Sequence, residues 1–371
     1  MTSAVAARGA PAVERLRVSA YTVPTDAPEA DGTIAWESTT MVLVEIESGG
    51  ERGIGYTYAD ASAARFIRDI LEPVVSGMSA MDIPAAWDAM LRASRNAGRP
   101  GVGAMAISAV DTALWDLKAK LLGLPLARLF GMARQEIAVY GSGGFTSYDD
   151  TRLSEQLGGW AEDGLRFVKM KVGSDPADDL RRVRVARRAI GGNTALFVDA
   201  NGAYTRKQAL DFAERFADEY VAWFEEPVSS DDLAGLRLIR DRAPARMDIA
   251  AGEYGFDPWY FRAMLEAGAV DVLQADATRC LGYTGFLRAA ALADAFQVPL
   301  SSHCAPALHL PVMLAAPRAA HMEWFHDHVR IERMFFEGAS GVVSGAVLAD
   351  LDRPGIGLEL RRADAERYAI Q

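Results

Sequence analysis

Eight short apolar runs, each followed by a charged stretch with helical spacing, dominate the chain after Gly131. The runs begin at residues 137, 167, 195, 222, 247, 270, 297 and 319, so that their starts lie 22 to 30 residues apart. This spacing is typical of one strand and one helix per unit, and eight such units close a parallel barrel. The pattern therefore predicts a C-terminal TIM-type (β/α) barrel.

The first third of the chain has a different pattern. Apolar and polar residues alternate over Thr40–Ser48, two glycines follow, and the segment GIGYTYAD continues with strand-forming residues. These features predict a β-hairpin in a small sheet over residues 13–60. Helical spacing then extends from about Ala61 to Gly123, with prolines at its breaks. This part is therefore predicted to be an α+β domain.

Together the two patterns predict an α/β chain in which an N-terminal α+β domain precedes the barrel. The segment LDRPGIGLELRRADAERYAI, near the C-terminus, has the pattern of a strand or loop that returns to the first domain. A length of 371 residues agrees with more than one domain. The expected parts are residues 1–131 for the N-terminal domain, 132–340 for the barrel and 341–371 for the returning segment.

Composition and charge restrict the class of protein. No stretch of 18 or more apolar residues occurs, so we expect no membrane partner. The N-terminus lacks the apolar core of a signal peptide, which predicts a frayed terminus, and two cysteines are too few for a disulfide framework; both features favour the cytoplasm. The net charge of −11 argues against nucleic acid as a partner but permits a small anionic substrate in a locally positive site.

Three acidic residues end consecutive barrel runs. Asp199, Glu225 and Glu253 end the third, fourth and fifth runs, so that their carboxylates are predicted to converge at the mouth of the barrel. Such a cluster fits a hard divalent cation, and oxygen ligands favour Mg²⁺ over zinc. The alternative is that each acid caps a helix or pairs with a surface arginine. Asn201 shares the face of Asp199 and is a candidate to orient a ligand or substrate, while Glu226 is expected to point away.

Two lysines and an Asp–His pair lie on other barrel strands. Lys169 and Lys171 share one face of the second run because side chains alternate along a strand, and Asp276 and His303 end the sixth and seventh runs. This arrangement predicts two bases on opposite sides of a substrate. We expect burial and the second ammonium group to lower the pKa of Lys171, and Asp276 to fix the tautomer of His303. The alternative is an edge strand whose lysines reach solvent.

Several further side chains are candidates for contacts with the substrate. Glu323 ends the eighth run and, if protonated, is expected to donate a hydrogen bond to a substrate oxygen. Trp36, Tyr56 and Tyr58 are assigned to loops of the first domain, where they either cover the pocket or pack in the core or on the surface.

Other conspicuous residues are not assigned to the site. The motif HDH at 326–328 contains metal-binding residue types, but it follows the end of a strand and is expected to form a surface loop. Cys280 and Cys304 are expected near the mouth of the barrel as free thiols.

Two long segments resemble the mandelate racemase group of the enolase superfamily. AISAVDTALWDLKAKLLGLPLARLFG, at 106–131, resembles the helix at the domain junction, and LFVDANGAYTRKQALDFAERFADEYVAWFEEP, at 196–227, resembles the metal-site signature. The resemblance covers nearly the whole chain and implies that the first domain is a capping domain whose loops select the substrate. It also implies the roles of individual residues: Asp199, Glu225 and Glu253 as Mg²⁺ ligands, Lys171 as base with Lys169 as its electrostatic partner, His303 with Asp276 as the opposite base or acid, and Glu323 as the acid that supports the enediolate.

The function implied by this resemblance is Mg²⁺-dependent abstraction of the α-proton of a carboxylate substrate, through an enediolate. Dehydration of an acid sugar, either an aldonate or an aldarate, is the expected reaction, with a racemase or epimerase of a 2-hydroxy acid as the alternative and a cycloisomerase as a weaker third. Relatives with a lysine on the sixth strand are typical of other groups, and Asp276 and His303 occupy that side here. A homo-oligomer is implied. A non-catalytic barrel that binds metal and a sugar acid has no need for both Lys171 and the His303–Asp276 pair.

Overall fold

The first sheet consists of three long antiparallel strands. The computed structural model describes residues 10–370. The segment expected to be frayed, residues 1–18, lies partly outside this range, and its last residues, from Arg15, belong to a strand. The strands are β1 Arg15–Ala30, β2 Ala35–Ser48 and β3 Glu51–Tyr58. Strands β2 and β3 join through Gly49 and Gly50, whose φ angles of 59° and 84° suit a tight hairpin turn. The predicted hairpin is confirmed.

Helices cover one face of this sheet. They are α1 Ser62–Phe66, a π-helical turn Ile67–Leu71, α2 Glu72–Val75, α3 Ile83–Ala93, α4 Val102–Leu121 and α5 Leu126–Phe130. Helix α4 lies directly on β3, where a Cβ at Gly53 or Gly55 would clash with the helix backbone or with Thr112. The absence of side chains at these two positions therefore allows α4 to pack closely on β3.

The second part of the chain is a closed barrel of eight parallel strands, each followed by a helix. The strands are β4 Glu136–Gly143, β5 Phe167–Lys171, β6 Ala195–Asp199, β7 Val221–Glu225, β8 Asp248–Ala251, β9 Val272–Ala275, β10 Leu300–Ser302 and β11 Ala319–Phe325. The helices are α6 Asp150–Glu162, α7 Asp179–Ile190, α8 Arg206–Asp218, α9 Leu233–Arg240, α10 Pro258–Glu266, α11 Gly282–Ala295, α12 Pro306–Ala315 and α13 His326–Phe335. Strand β11 pairs with β4 and closes the barrel, which confirms the predicted fold class.

Alternation along the barrel strands determines which side chains face the interior. Val168 and Met170 of β5 belong to the cluster that packs between the strands and the outer helices. Rings such as Tyr140, Phe197 and Trp223 form a separate cluster inside the barrel. Lys169 and Lys171, which alternate with Val168 and Met170, therefore point inward above this aromatic layer.

The C-terminal segment pairs with both parts of the molecule. Its elements are β12 Phe336–Glu337, β13 Ala346–Leu348, β14 Glu359–Leu360, α14 Arg362–Ala365, a 3₁₀ turn Glu366–Tyr368 and β15 Ala369–Ile370. Strand β13 pairs antiparallel with β4 of the barrel, and β15 pairs antiparallel with β1 of the first sheet. Within residues 10–370, no helix combines the length and the hydropathy that crossing a membrane requires.

A buried carboxylate connects the first domain to the barrel. Asp111 of α4 accepts hydrogen bonds from the backbone N–H of Thr284 (2.9 Å) and from its hydroxyl (2.7 Å), at the start of α11. We expect Asp111→Ala to lower the free energy of unfolding by about 2–4 kcal/mol, because both donors lose their buried partner. Denaturant unfolding, with the exposed Asp211→Asn as the control, measures this effect; a loss equal to that of the control would contradict it.

The same contact predicts a dependence of stability on pH. Burial raises the pKa of Asp111 to about 7, although the hydrogen bonds from Thr284 oppose the shift. Between the ordinary carboxyl pKa and this value, the folded state binds a proton that the unfolded state does not, so the contribution of Asp111 falls as pH rises through this window. Asp111→Asn lacks this component. Its stability relative to the wild type should therefore be greater at pH 8 than at pH 5, and an equal difference at both values would argue against the titration.

Candidate active site

Three buried carboxylates converge at the carboxyl ends of adjacent barrel strands. Asp199 and Glu225 are the last residues of β6 and β7, and Glu253 follows β8 after a turn at Gly252, where φ is 135°. A Cβ at Gly252 would clash with the carbonyl oxygen of Gln274, so this tight turn requires glycine. One oxygen from each of the three carboxylates lies within 4.8 Å of the other two. The three acids that the sequence analysis grouped are therefore brought together.

The electrostatics of this cluster fit a hard divalent cation. Burial and the charge of Asp199 raise the pKa of Glu225 well above its ordinary value, although Lys169 opposes the shift. The Oε2 atom of Glu253 has no hydrogen-bond partner among the described residues, although His303 Nε2 lies 3.4 Å away. A buried donor set that consists only of carboxylate oxygens is the type that binds Mg²⁺.

Both lysines of β5 are inside the site and form ion pairs. Lys169 Nζ lies 2.7 Å from Glu225 Oε2 and 2.8 Å from Glu323 Oε1, and Lys171 pairs with Asp199. Burial lowers the pKa of Lys171, but Asp199 and the other nearby carboxylates raise it more, and the result lies above the ordinary value. The expected lowering is therefore wrong for this arrangement, because the expectation weighed the second ammonium group and burial without the adjacent acids.

His303 is held in one orientation by Asp276. Its Nδ1 lies 2.8 Å from Asp276 Oδ2, and the backbone N–H of Thr278 donates to Asp276 Oδ1 at 2.7 Å. Burial raises the pKa of Asp276, but the hydrogen bond and charge of His303 lower it more, so that Asp276 remains a carboxylate. The other nitrogen, Nε2, lies on the cavity side, 3.2 Å from Cys304 Sγ and 3.4 Å from Glu253 Oε2.

Glu323 is an acceptor in this arrangement. Its Oε1 atom lies 2.8 Å from Lys169 Nζ, and its Oε2 atom accepts a hydrogen bond from the backbone N–H of Cys304 at 2.7 Å. Burial raises the pKa of Glu323, but the positive charges of Lys169 and His303 lower it more, and the net shift is downward. The expectation of a protonated Glu323 therefore conflicts with this geometry, since the adjacent lysine holds the proton.

One cavity of about 390 Å³ contains the working groups. Lys171 and His303 both line it, together with Asn201 and Trp36. Its full lining is Asp31, Ile34, Trp36, Ser38, Thr39, Thr40, Tyr58, Ala59, Asp60, Lys171, Asn201, Glu253, Tyr254, Arg279, His303, Cys304, Glu323, Phe325 and His328.

Tyr56 does not line this cavity, so the prediction that it contacts the substrate is wrong. Its side chain is fully buried, donates a hydrogen bond to Glu332 Oε1 at 2.6 Å and stacks on Phe336. It packs in the core between the first domain and the barrel. Trp36 and Tyr58 do reach the cavity, and they lie on strands β2 and β3 rather than in loops.

The prediction that the HDH segment at 326–328 forms a surface loop is also wrong. His326 begins helix α13, and Asp327 and His328 are buried rather than part of a surface loop. His328 stacks on Tyr58, with ring centroids 3.4 Å apart, and lines the cavity. A signal was available, because the helix that follows a barrel strand begins at the same end as the active site.

The loop between β1 and β2 covers the site from the side of the first domain. Asp31 accepts hydrogen bonds from the backbone N–H groups of Thr33 (2.6 Å) and Ile34 (2.8 Å), which shapes this loop. A Cβ at Gly32 would clash with the carbonyl oxygens of Val172 and Ala200, which follow β5 and β6. The loop therefore lies directly on the barrel mouth, a contact between distant segments that no local pattern in the sequence indicates.

Left-handed backbone occurs at three positions within two residues of the end of a barrel strand. Asn201, Glu226 and Cys304 have φ angles of 45°, 37° and 51°. Each such residue costs about 1–2 kcal/mol, so their concentration at the strand ends indicates that the surrounding contacts hold the loops in shape. At Asn201 the backbone N–H donates to Asp199 Oδ1 at 2.9 Å, which fixes the carboxylate.

Two family models match separate parts of the chain. Residues 17–131 match the mandelate racemase / muconate lactonizing enzyme N-terminal domain, and residues 152–365 match the enolase C-terminal domain-like model. The matched ranges correspond to the first sheet with its helices and to most of the barrel with the residues that follow it.

Curated relatives are enzymes of sugar acids. A 3,6-anhydro-alpha-L-galactonate cycloisomerase of Streptomyces coelicolor is 33% identical over 96% of this chain and 99% of its own length. An arabinonate dehydratase of Saccharolobus solfataricus is 29% identical over 88% of this chain and 90% of its own length.

Solved structures agree with the same relationship. A mandelate racemase/muconate lactonizing enzyme-like protein of Rubrobacter xylanophilus has 56% identity and a TM-score of 0.95, over 97% of this chain and all of the other. A racemase of Streptomyces coelicolor with bound magnesium has 32% identity and a TM-score of 0.91, over 96% of this chain and all of the other.

Proposed function

We propose that this chain, which belongs to the mandelate racemase and muconate lactonizing enzyme family of the enolase superfamily, is a Mg²⁺-dependent acid-sugar dehydratase. The observation that carries this proposal is that Lys171 and the Asp276-bound His303 line one cavity beside three converging carboxylates. A general base, a general acid and a cation site are the parts that removal of an α-proton and departure of a β-hydroxyl require.

The residues of the chain divide the work as follows. Mg²⁺ held by Asp199, Glu225 and Glu253 would bind the substrate carboxylate, stabilise the enediolate and offset the carboxylate charge that keeps Lys171 protonated. Lys171 then accepts the α-proton. His303 donates a proton through Nε2 to the β-hydroxyl, which leaves as water. The enol that results ketonises to a 2-keto acid.

Support for a polyhydroxylated acid comes from the mixed character of the cavity. Hydrogen-bonding side chains include Asp31, Thr39 and Arg279, and apolar surface comes from Trp36 and Phe325. Sugar hydroxyls need many polar partners, whereas the carbon face of a sugar packs on aromatic rings. A small aldonate or aldarate suits such a lining better than an apolar acid does.

A cycloisomerase is the second candidate, because the relative that this chain covers almost completely bears that name. Racemisation is the third, since two acid–base groups face one cavity. All three reactions share the removal of the α-proton and differ in the next step.

A screen of aldonates, aldarates and their lactone or anhydro forms with Mg²⁺ in deuterated water separates these reactions. We expect a 2-keto acid that has lost one water. A product of unchanged mass with a new ring or bond position would favour the cycloisomerase, and exchange of the α-hydrogen with inversion alone would favour the racemase. Neither turnover nor exchange across the library would contradict the proposal.

The Mg²⁺ site provides an independent prediction. Glu225→Gln removes one anionic ligand and should weaken Mg²⁺ binding more than about tenfold. Isothermal titration calorimetry measures this change, with Glu214→Gln, on an exposed face of α8, as the control. Unchanged affinity in Glu225→Gln would remove that residue from the ligand set.

We also propose that the protein acts in the cytoplasm as a homo-oligomer on a small carboxylate, without nucleic acid or membrane partners. The net charge of −11 argues against nucleic acid as a partner, and the two buried free cysteines fit a reducing compartment. The homo-oligomer rests on the family resemblance.

A further inference from the structure

A second group of potential metal ligands, His303, Cys304 and Glu323, lines the same cavity as Glu253 of the carboxylate cluster. Cys304 Sγ lies 3.2 Å from His303 Nε2, which in turn lies 4.0 Å from Glu323 Oε2. Donor atoms of the three residues all lie within 4.8 Å of one another, and all three side chains are buried. None of the three belongs to the Asp199–Glu225–Glu253 set.

These separations are close to those of a tetrahedral zinc site. With bonds of about 2.0 Å to nitrogen and oxygen and about 2.3 Å to sulfur, neighbouring ligands of Zn²⁺ lie about 3.3–3.6 Å apart. The distances of 3.2 Å and 4.0 Å lie on either side of this range, and the remaining pair, Cys304 and Glu323, has donor atoms within 4.8 Å of each other. The backbone N–H of Cys304 donates to Glu323 Oε2 at 2.7 Å, and this contact fixes two of the ligands relative to each other.

The hydrogen bond between Asp276 and His303 also fits a zinc site. Asp276 occupies Nδ1 at 2.8 Å, so Nε2 is the nitrogen left to bind a metal. A carboxylate behind a ligating imidazole is the usual arrangement at zinc sites, where it orients the ring and increases its basicity. The carboxylate cluster offers only oxygen, whereas this group offers sulfur, nitrogen and oxygen, so the two sites select different cations.

The charge of the site permits a second cation. The two clusters and their immediate surroundings contain six acidic side chains and three lysine or arginine side chains. The acids are Asp199, Glu225, Glu226, Glu253, Asp276 and Glu323, and the cations are Lys169, Lys171 and Arg279. Acidic side chains therefore outnumber cationic ones by three, and paired divalent cations occur in enzyme sites that hold this much carboxylate.

We propose that His303, Cys304 and Glu323 form an inhibitory site for Zn²⁺ or a similar borderline-soft cation, distinct from the Mg²⁺ site. Three protein ligands bind the cation, the thiol proton is released to solvent, and the fourth position faces the cavity. A cation at this site occupies the nitrogen through which His303 acts and thereby stops turnover. The inhibition rests on the proposed function, whereas the binding does not.

Cobalt tests the binding without any substrate. The Mg²⁺-saturated protein is titrated with Co²⁺, and a thiolate-to-cobalt charge-transfer band is recorded before Zn²⁺ is added to displace it. We expect one equivalent of Co²⁺ to give the band in the wild type and in Cys280→Ser, which changes a buried cysteine outside the cavity lining. Cys304→Ser should lose the band and bind Zn²⁺ more than about 100-fold more weakly.

The outcomes separate this site from the Mg²⁺ site and from the proposed function. Absence of the band in the wild type, or a band that persists in Cys304→Ser, overturns the proposal. Zinc inhibition, measured against the zinc-free rate of each variant once a substrate is known, should shift by the same factor in Cys304→Ser. Inhibition that is unchanged in this variant and is relieved by added Mg²⁺ would assign the zinc effect to the carboxylate cluster and would also overturn the proposal. Failure of the substrate screen leaves the cobalt result intact.

Discussion

Lys171→Ala and Lys171→Arg are each expected to lower kcat by about 10²–10⁴-fold and to abolish exchange of the substrate α-hydrogen with deuterated water. The alanine variant removes the base. The arginine variant keeps a positive charge beside Asp199 but cannot release its proton at any working pH. Equal losses in both variants would therefore identify proton acceptance, rather than charge, as the contribution of Lys171.

Two measurements keep this prediction distinct from a failure to fold. Lys207→Ala, at an exposed position of α8, is the matched control and should retain wild-type turnover. Mg²⁺ binding and the thermal unfolding curve of Lys171→Arg should remain close to those of the wild type, because the ion pair with Asp199 is replaced rather than lost. Normal exchange in either Lys171 variant would show that another group takes the proton.

The second large effect is expected at His303. His303→Asn should lower the rate of product formation by about 10²–10⁴-fold, since the leaving hydroxyl then departs without a proton donor. Asp276→Asn should produce a smaller loss of the same kind, because an amide donor opposite Nδ1 favours the wrong tautomer. In both variants Lys171 is intact. Exchange of the α-hydrogen should therefore survive better than product formation does, and the ratio of the two rates is the informative quantity.

His326→Asn is the matched control for this pair. His326 lies beside Asp26, outside the cavity, and its loss should leave turnover unchanged. If His303→Asn lost exchange and product formation in equal measure, the two-sided assignment would be incorrect, and His303 would be the base that removes the α-proton.

The barrel was predictable because its periodicity is encoded locally. Each apolar run needs only a few neighbours to form a strand, and the starts inferred from the sequence agree with those of β4–β11 to within three residues. The acids at the strand ends followed from the same register, since in a closed barrel one edge collects the carboxyl ends of all strands. The grouping of Asp199, Glu225 and Glu253 therefore required no knowledge of side-chain contacts.

Contacts between distant segments were not predictable in this way. Tyr56 and Tyr58 lie on the same face of β3, about 7 Å apart along the strand. Only the ring of Tyr58 reaches the cavity. That outcome depends on where the first sheet sits on the barrel, which alternation along a strand does not specify. The upward shift in the pKa of Lys171 has the same origin, because it depends on the distance from its ammonium group to Asp199.

The pairing of β15 with β1 has a consequence for the order of assembly during synthesis. The ribosome makes Ala369 and Ile370 after all eight barrel units, yet these residues form the edge of the sheet that begins at Arg15. The first sheet can therefore gain its fourth strand only when the barrel has already emerged. Domains usually fold in the order of their synthesis, but here the domain that is made first is completed last. The sheet whose β1–β2 loop covers the active site is thus completed only after the barrel strands have been made.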